Sequence, residues 1–529
     1  MHTFISAASA ALWGAPMAAL LAGAGVFLSV RCGFVQLRHF PEAMRRTLGG
    51  IFSREGAGKG AVTPLQAVCS ALAGTVGTGN IAGVALAIAL GGPGTLFWLW
   101  LTAILGMATK FAEVTLAVRF RERGADGQWL GGPMYTIKNG LGRRFMPLAR
   151  IFALFGTLAA FGMGSAVQGA EIAGAARTLS MELLPGLPAE RRLFALAAGV
   201  LVAFIAFYVL SGGMGRLGRV CELLVPLMGV IYILACLAVI AANAGALPGV
   251  FRDIFVSAFE PEAVCGGVGL RACIGWGVRR GVFSNEAGLG SAPIAHASSS
   301  ETDPVRQGFF GIFEVFADTI VVCTLTALAI LCSGVAIPYG SPATLSVCVS
   351  AFAGVFGGGA AAAILSACML LFSLSSLLGW GIYGLRCCGF LLGKRSERGF
   401  VLLYALSAVL GAAGTRSMIW ELADILNALM ALPNLISLFL LSGEVSRLTR
   451  DYFSQRQREN ISRTSSKPRG ITLGKNFLPS SVQRRLMYSA FSAVRPKSDR
   501  RSGIPRLRKY SRVASMPFST PLTPHIFSA

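Results

Sequence analysis

Long apolar runs separated by short polar stretches dominate residues 12–443. Each run has roughly 20 residues, the length that crosses a hydrocarbon core about 30 Å thick as an α-helix. The pattern predicts an all-α polytopic membrane protein with about 11 transmembrane helices. The predicted spans are residues 12–31, 64–91, 95–118, 148–175, 192–211, 219–243, 265–295, 306–333, 360–386, 399–415 and 419–443.

Two of these spans are interrupted by glycines and polar residues. The second span contains ALAGTVGTGNIAGVA at Ala71–Ala85, and the seventh contains GWGVRRGVFSNEAGLGSAPIAHA at Gly275–Ala297. Lipid offers no partners for free backbone groups, so a broken helix at membrane depth should face protein or a water-filled cavity. Both interruptions are therefore candidate sites. Close packing of small residues between helices is the alternative explanation for the first.

The two interrupted spans lie five spans apart. Broken helices at corresponding positions of two halves indicate an inverted-repeat secondary transporter with its site near the membrane midplane. The sequence thus predicts a five-plus-five inverted-repeat core with two broken helices and one extra N-terminal helix. The predicted regions are an N-terminal helix with a cytoplasmic linker (1–63), the first repeat (64–243), the second repeat (244–445) and a basic, disordered cytoplasmic tail (446–529).

Charge adds an orientation to this picture. Only 13% of residues are charged and 54% are hydrophobic, which excludes a large soluble enzyme, yet the net charge is +23. Basic residues follow the first and third spans, whereas residues 334–359 contain no Lys or Arg, which suits an outer loop. The positive-inside rule then predicts a cell-membrane protein with its N-terminus outside and its C-terminus cytoplasmic. The basic tail is expected to attract anionic lipid, and no nucleic acid partner is expected.

The chain shows no pattern typical of an enzyme or a metalloprotein. Spacings like GxGxxG occur within membrane spans, outside any Rossmann context, and no phosphate-binding GxxxxGK[ST] loop is present. The twelve cysteines are scattered and show no metal-ligand spacing. We therefore expect neither an enzyme nor a cofactor.

Three segments carry a family resemblance. GTVGTGNIAGVALAIALGGPGTLFWLWLTAILGMATKFAEVTLAVRF, GGPMYTIKNGLG and GVFSNEAGLGSAPIAHA resemble the alanine/glycine:cation symporter family, and the resemblance covers roughly residues 12–445. It implies a leucine-transporter-like fold and a secondary-active symporter. The implied activity couples inward sodium movement to the uptake of small neutral amino acids, such as alanine and glycine, by alternating access.

An amino acid needs donors for its carboxylate and acceptors for its ammonium group. The second half of the first broken helix begins near Thr78, so the amides of Thr78, Gly79 and Asn80 suit the carboxylate. Carbonyl groups near Gly74 and Thr75 suit the ammonium group. The rest of the pocket is expected at Gln168, Phe283, Ser284, Asn285 and Trp380. For Gln168 an interhelical hydrogen bond is the alternative, and for Trp380 it is simple packing.

Sodium is a hard cation that prefers oxygen ligands. The resemblance implies a sodium site at the hydroxyl groups of Ser375 and Ser376 with the carbonyl groups of Ala73 and Val76. Serines in a membrane helix commonly bond their own backbone carbonyls instead, which is the alternative here.

Ionisable residues inside the membrane are functional candidates by default. Glu286, Glu314 and Asp318 could carry protons, but we expect Glu314 and Asp318 to pair with Arg279 and Arg280. The four histidines fall near predicted helix ends or in the tail, so a histidine proton relay is not expected. A proton-coupled amino-acid symporter and a transporter-derived amino-acid sensor remain the alternative functions.

Overall fold

The computed structural model describes residues 12–50, 60–183, 190–342, 345–413 and 416–465, and most of these residues are helical. Contacts group residues 1–460 into one unit; of residues 461–529, the structure describes only 461–465. The chain begins with α1 (Ala15–Arg31), α2 (Val35–Arg38) and α3 (Phe40–Gly50). Next come α4 (Pro64–Thr75), a 3₁₀ turn (Thr78–Asn80), α5 (Ala82–Gly91), α6 (Thr95–Arg119), α7 (Pro133–Thr136), α8 (Met146–Ala159), α9 (Val167–Leu183), α10 (Glu190–Ser211) and α11 (Gly213–Ala242).

The second half follows with shorter connecting helices between its long ones. Its helices are α12 (Leu247–Ser257), α13 (Pro261–Cys265), α14 (Leu270–Asn285), α15 (Ala292–His296), α16 (Pro304–Val315), α17 (Thr324–Cys332), α18 (Leu345–Phe356), α19 (Gly358–Leu392), α20 (Glu397–Ala413) and α21 (Arg416–Ser465). Wider π-helical turns occur at Ile137–Leu141, Ala160–Ala166 and Phe316–Cys323. Further 3₁₀ turns occupy Arg143–Phe145, Ala244–Ala246 and Lys394–Ser396.

Length and composition confirm a polytopic helical membrane protein. Among the described residues, eight helical stretches are long and apolar enough to cross a membrane. A ninth span results if the pair Pro64–Thr75 and Thr78–Gly91, bent by 62°, is counted as one. The helix α1 is apolar but shorter, and the pair α14 and α15 is not among these stretches. The count of 11 therefore stays a prediction.

The first predicted interruption is a break in the helix. Thr63 and Gln66 form a reciprocal capping box that starts α4, which ends at Thr75. The Gly77 amide then donates to the side-chain oxygen of Asn80 at 3.0 Å, instead of extending the helical ladder. The helix resumes at Ala82.

The second interruption is also a break. The helix α14 ends where Glu286 takes the left-handed conformation with φ 52°. Gly288 and Gly290 follow with φ 95° and 81°, a region that side chains with a Cβ rarely adopt. These three positive φ angles explain why the chain leaves the helix here and re-enters it only at Ala292.

Contact between α4 and α19 places the first break against a long helix. A Cβ on Gly379 would lie 2.5 Å from the backbone nitrogen of Gly74, so the two backbones touch without side chains between them. One turn earlier in α19, the hydroxyl of Ser376 would lie 2.7 Å from a Cβ on Gly77. Glycine at these positions lets the broken segment approach α19 closely.

A short hairpin joins several segments at one end of the molecule. The strands β1 (Glu122–Arg123) and β2 (Trp129–Leu130) pair antiparallel, and the Trp129 amide donates to the Gly60 carbonyl. Before the hairpin, Arg121 donates to the carbonyls of Ala297, Ser299 and Glu301 at 2.6 to 3.0 Å. Burial lowers the pKa of the Arg121 guanidinium to about 10, so it is charged at neutral pH.

Two expectations about the ends of elements need correction. Residues 334–359, predicted as an outer loop, contain the helix α18. Residues 446–465, predicted as part of a disordered tail, are helical in α21, where Thr449 is buried and the ring of Phe453 stacks on His39 at 3.7 Å. The remaining tail residues, 466–529, lie outside the described residues.

Adding one methyl group at the contact between α4 and α19 should destabilise the protein. We expect Gly379→Ala to cost about 1–3 kcal/mol, because the new Cβ meets backbone atoms that cannot rotate away. Thermal unfolding of the detergent-solubilised protein measures this as a lower Tm. Gly354→Ala is the matched control, since a Cβ there meets nothing within 4 Å. Equal Tm values for the two variants would contradict the close contact.

Candidate substrate and ion site

A cavity of about 740 Å³ reaches the first break. Three predicted site residues line it, namely Thr78, Gly79 and Phe283. The remaining wall comes mainly from α5, α9, α14 and α21, and it includes Glu171, Arg177, Trp276, Arg279, Arg280, Trp420 and Asp424. A cavity beside broken backbone fits the expectation for a site inside the membrane.

Asn80 joins the first break to two other helical segments. Its side-chain amide donates to a carboxylate oxygen of Asp318 at 2.7 Å, and the Ser284 hydroxyl donates to the other carboxylate oxygen at 2.6 Å. The Thr326 hydroxyl donates to the Asn80 carbonyl at 2.8 Å. Asp318 is fully buried, so this network ties α14 and the π-helical turn Phe316–Cys323 to the break.

The backbone amides expected for a carboxylate are available in part. The Asn80 amide donates to the Gly77 carbonyl at 3.0 Å, so the expectation for this amide is wrong. The amides of Thr78 and Gly79 make no hydrogen bond within the described part of the chain. These two amides, both in residues that line the cavity, are the remaining backbone donors.

The other predicted pocket residues near the first break are packed away from the cavity. Gly74 touches α19, and the hydroxyl of Thr75 reaches back to the Ala71 carbonyl at 3.4 Å. Gln168 donates to the Met163 carbonyl at 3.2 Å. The side-chain oxygen of Gln168 is buried and has no hydrogen-bond partner among the described residues, so it keeps an unused acceptor.

The second break holds two further predicted residues. The side-chain oxygen of Asn285 accepts from the Ala287 amide at 3.0 Å. The indole of Trp380 donates to Glu286 at 3.1 Å, and Glu286 also accepts a short hydrogen bond from Ser291. Trp380 thus connects α19 to the second break and does not line the cavity.

The predicted sodium ligands lie where α19 meets α4. Ser375 donates to the Phe372 carbonyl at 2.8 Å, which is the back-bonded arrangement weighed as the alternative. Ser376 faces Gly77, next to the end of α4 that carries Ala73 and Val76. Across the described residues, no group of three or more His, Cys, Asp or Glu side chains could hold a metal ion.

The expected pairing of Glu314 and Asp318 with Arg279 and Arg280 is wrong. Arg279 forms its ion pair with Asp424 at 3.1 Å. Glu314 lies 3.4 Å from the ammonium group of Lys110, and its other oxygen hydrogen-bonds His296 at 3.0 Å. His296, one of the histidines expected near a helix end, is fully buried and belongs to this ionic cluster. Its other ring nitrogen lies 2.9 Å from the side-chain nitrogen of Gln307.

Sequence reasoning missed Glu113, the main partner of the second break. One of its carboxylate oxygens accepts from the amides of Gly288 and Gly290 at 3.0 and 3.1 Å and from Asn434 at 2.6 Å. The signal was present, because Lys110 and Glu113 are ionisable residues inside the third predicted span. The helix α6 tolerates them because 83% of its most apolar stretch is buried inside the protein.

The sequence profile of the sodium:alanine symporter family matches residues 1–466. The chain belongs to this family. It is similar to the sodium/alanine symporter AgcS of Methanococcus maripaludis, with 39% identity over 461 residues that cover 86% of this chain and 98% of that protein. It is also similar to the probable sodium/glutamine symporter GlnT of Bacillus subtilis, with 36% identity covering 86% and 92% of the two chains.

Solved structures confirm the fold of this family member. The crystal structure of MhsT in complex with L-phenylalanine matches with a TM-score of 0.53 and 17% identity, covering 74% of this chain and 90% of that one. The fold is thus leucine-transporter-like, as the resemblance implied. The protein is a transporter of the amino-acid symporter class and not an enzyme.

Replacing Asn80 should abolish transport by this family member. In Asn80→Leu the Asp318 carboxylate and the Gly77 amide each lose a buried partner, at a cost of about 1–3 kcal/mol for each unpaired group. We expect expression to survive and uptake of labelled alanine into cells to disappear.

The control is Asn139→Leu, which removes an exposed amide bonded to the Phe120 carbonyl. This variant should transport normally. Normal uptake by a well-folded Asn80→Leu protein would instead indicate that the first break only allows close packing between helices.

Proposed function

We propose that the protein is a secondary-active symporter that couples inward sodium movement to the uptake of small neutral amino acids, with alanine and glycine as the first candidates. The observation that carries the proposal is the cavity that reaches the first break, where the amides of Thr78 and Gly79 have no hydrogen-bond partner among the residues that the structure describes. Amides at a broken helix suit a carboxylate, and neighbouring carbonyls near Gly74 and Thr75 suit an ammonium group. Related proteins named for alanine and glutamine transport support the amino-acid class.

The side on which the cavity opens supports alternating access. Leu345, which lines the cavity, belongs to the segment 334–359 that lacks Lys and Arg. The opposite end carries the basic loops around Arg121 and Lys394. By the positive-inside rule we propose that the segment 334–359 faces the outside and the hairpin end faces the cytoplasm, so that Leu345 brings the cavity wall towards the outer side. In this orientation the C-terminus is cytoplasmic, where the basic residues of 466–529 would meet anionic lipid.

The remaining pocket residues are proposed to act through the two breaks. Phe283 lines the cavity and limits the size of the solute side chain. Asn80 and Ser284 hold the first break open through their hydrogen bonds to Asp318. Gln168 offers an unused buried oxygen. Asn285 and Trp380 fix the second break, which faces the first.

Sodium is proposed to bind between α4 and α19. The carbonyls of Ala73 and Val76 end a helix, and Ser375 and Ser376 bring hydroxyl oxygens to the same contact. Inward movement of one sodium ion supplies about 2.3 kcal/mol for each 100 mV of membrane potential, in addition to any concentration gradient.

Proton coupling is a second candidate because Asp318 lies directly at the first break. Its carboxylate is fully buried and bonded to Asn80 and Ser284, so its protonation would alter the network that holds the break. A carboxylate in this position can exchange a proton or interact with a cation. The ion used for coupling decides between the two candidates.

Uptake of labelled alanine and glycine into proteoliposomes, with sodium and proton gradients imposed separately, tests the proposal. We expect accumulation above equilibrium with an inward sodium gradient and none with a proton gradient alone. Accumulation driven by protons without sodium would favour the Asp318 candidate. Binding without accumulation under either gradient would indicate a sensor.

The sodium site makes a separate prediction. Replacing Ser375 and Ser376 together with alanine removes two oxygens without adding charge or volume, so the protein should fold. We expect the sodium concentration for half-maximal uptake to rise severalfold, with solute binding weakened mainly at low sodium, because coupled sites affect each other reciprocally.

The single variants refine this test. Ser376→Ala should account for most of the shift, since Ser375 already bonds the Phe372 carbonyl. A double variant with unchanged sodium dependence would exclude these serines as ligands.

A further inference from the structure

The guanidinium of Arg280 lies in the cavity beside the first break. Arg280 belongs to α14 and reaches across to α5, where a Cβ on Gly83 would lie 2.5 Å from its guanidinium carbon. A Cβ on Gly79 would lie 3.7 Å from one of its terminal nitrogens. The guanidinium therefore rests against the backbone at Gly83 and reaches Gly79, one of the two residues whose amides have no hydrogen-bond partner in the described part of the chain.

This guanidinium has no acceptor in the described part of the chain. Arg280 forms no hydrogen bond or ion pair there; its guanidinium lies 5.6 Å from the centre of the Phe283 ring and interacts with Asp424 only electrostatically, at longer range than a salt bridge. The neighbouring Arg279, on the same helix and in the same cavity, is held by Asp424 at 3.1 Å. An arginine has five N–H donors, and a cation in a membrane cavity is costly unless something pairs with it.

We propose that Arg280 binds the α-carboxylate of the transported amino acid, together with the amides of Thr78 and Gly79. This inference rests on the proposed function and names the group that the site recognises. The planar guanidinium matches a carboxylate through two parallel hydrogen bonds, which an isolated amide cannot provide. The carboxylate then becomes the group that every solute must carry, whatever its side chain.

A consequence for specificity follows directly. Alaninamide has the shape and the ammonium group of alanine but no negative charge, so it cannot form an ion pair with Arg280 and its own positive charge stays uncompensated beside the guanidinium. The protein should therefore strongly prefer alanine over alaninamide. Removing the guanidinium should reduce that preference more than it reduces folding.

The test measures equilibrium binding of alanine and of alaninamide, each at saturating sodium, to the purified protein. Arg280→Gln should weaken alanine binding by about 10- to 100-fold, the range for loss of hydrogen bonds to a charged group. Alaninamide binding should change little, so that the ratio of the two affinities falls by a similar factor. Arg280→Lys keeps the positive charge but loses the planar guanidinium with its two parallel N–H donors. It should therefore retain part of the preference for alanine over alaninamide.

Gly83→Ala gives an independent variant that leaves Arg280 in the sequence. Its methyl group occupies the position of the guanidinium, and the flexible end of the arginine can move away at little cost to folding. We expect the same fall in the affinity ratio, which keeps the proposal testable even if Arg280→Gln misfolds.

Arg279→Gln is the matched control, because it removes an equal charge from the same cavity. Its affinity ratio for alanine over alaninamide should stay close to that of the unaltered protein. An unchanged ratio in both Arg280→Gln and Gly83→Ala overturns the proposal, and so does an equal fall in Arg279→Gln. Failure of the unaltered protein to bind or accumulate any neutral amino acid refutes the proposed function first, and this inference with it.

Discussion

A peptide group that leaves its helix inside a membrane has no solvent from which to recover a hydrogen bond. This constraint governs both breaks of the protein. At the first, the side chain of Asn80 accepts from the Gly77 amide and replaces a missing rung of the helix. At the second, Glu113 accepts from the amides of Gly288 and Gly290. Both breaks can exist inside a membrane protein because side chains from the protein itself take the place of water.

The two solutions use different chemical groups, and the rest of the core reflects that difference. Asn80 is a neutral amide, whereas Glu113 brings a carboxyl group into the interior. Nearby, Lys110 and Glu314 are fully buried 3.4 Å apart, with His296 completing the cluster. Such groups are stable only when they are paired or hydrogen-bonded. The interior behind the second break is thus a paired ionic network, while the cavity beside the first break contains Arg280, whose N–H groups have no acceptor within the described ranges of the chain.

Local features of the site could be predicted from sequence, whereas contacts between distant segments could not. Glycine and polar residues within apolar runs marked both breaks, because a break is a property of a few neighbouring residues. The bond between Asn80 and Asp318 joins residues 238 positions apart, and no local pattern indicates it. The wrong pairing of Glu314 and Asp318 had a definite cause. Residues four apart share a face in a regular α-helix, but the π-helical turn Phe316–Cys323 widens the helix and turns Asp318 toward the first break.

The fold shows the same division. Hydropathy located the long helices, since each must match the thickness of the hydrocarbon layer, but several ends differ by six or more residues, as where the span predicted at 148–175 continues to Leu183. It did not indicate the helix α18 in a predicted loop, or the continuation of α21 to Ser465, where packing against other segments decides the structure. The hairpin was equally hidden, because its strands have two residues each.

Arg121 and Val62 connect the starts and ends of several segments near the hairpin. One guanidinium holds the carbonyls of Ala297, Ser299 and Glu301, and the strand-like bridge between Val62 and Ser299 fixes the segment before α4 to the same stretch. The half-helices of both breaks are therefore fastened at one point. Moving α4 away from α15 at this end would therefore break the backbone hydrogen bonds that Val62 makes with Ser298 and Ser300.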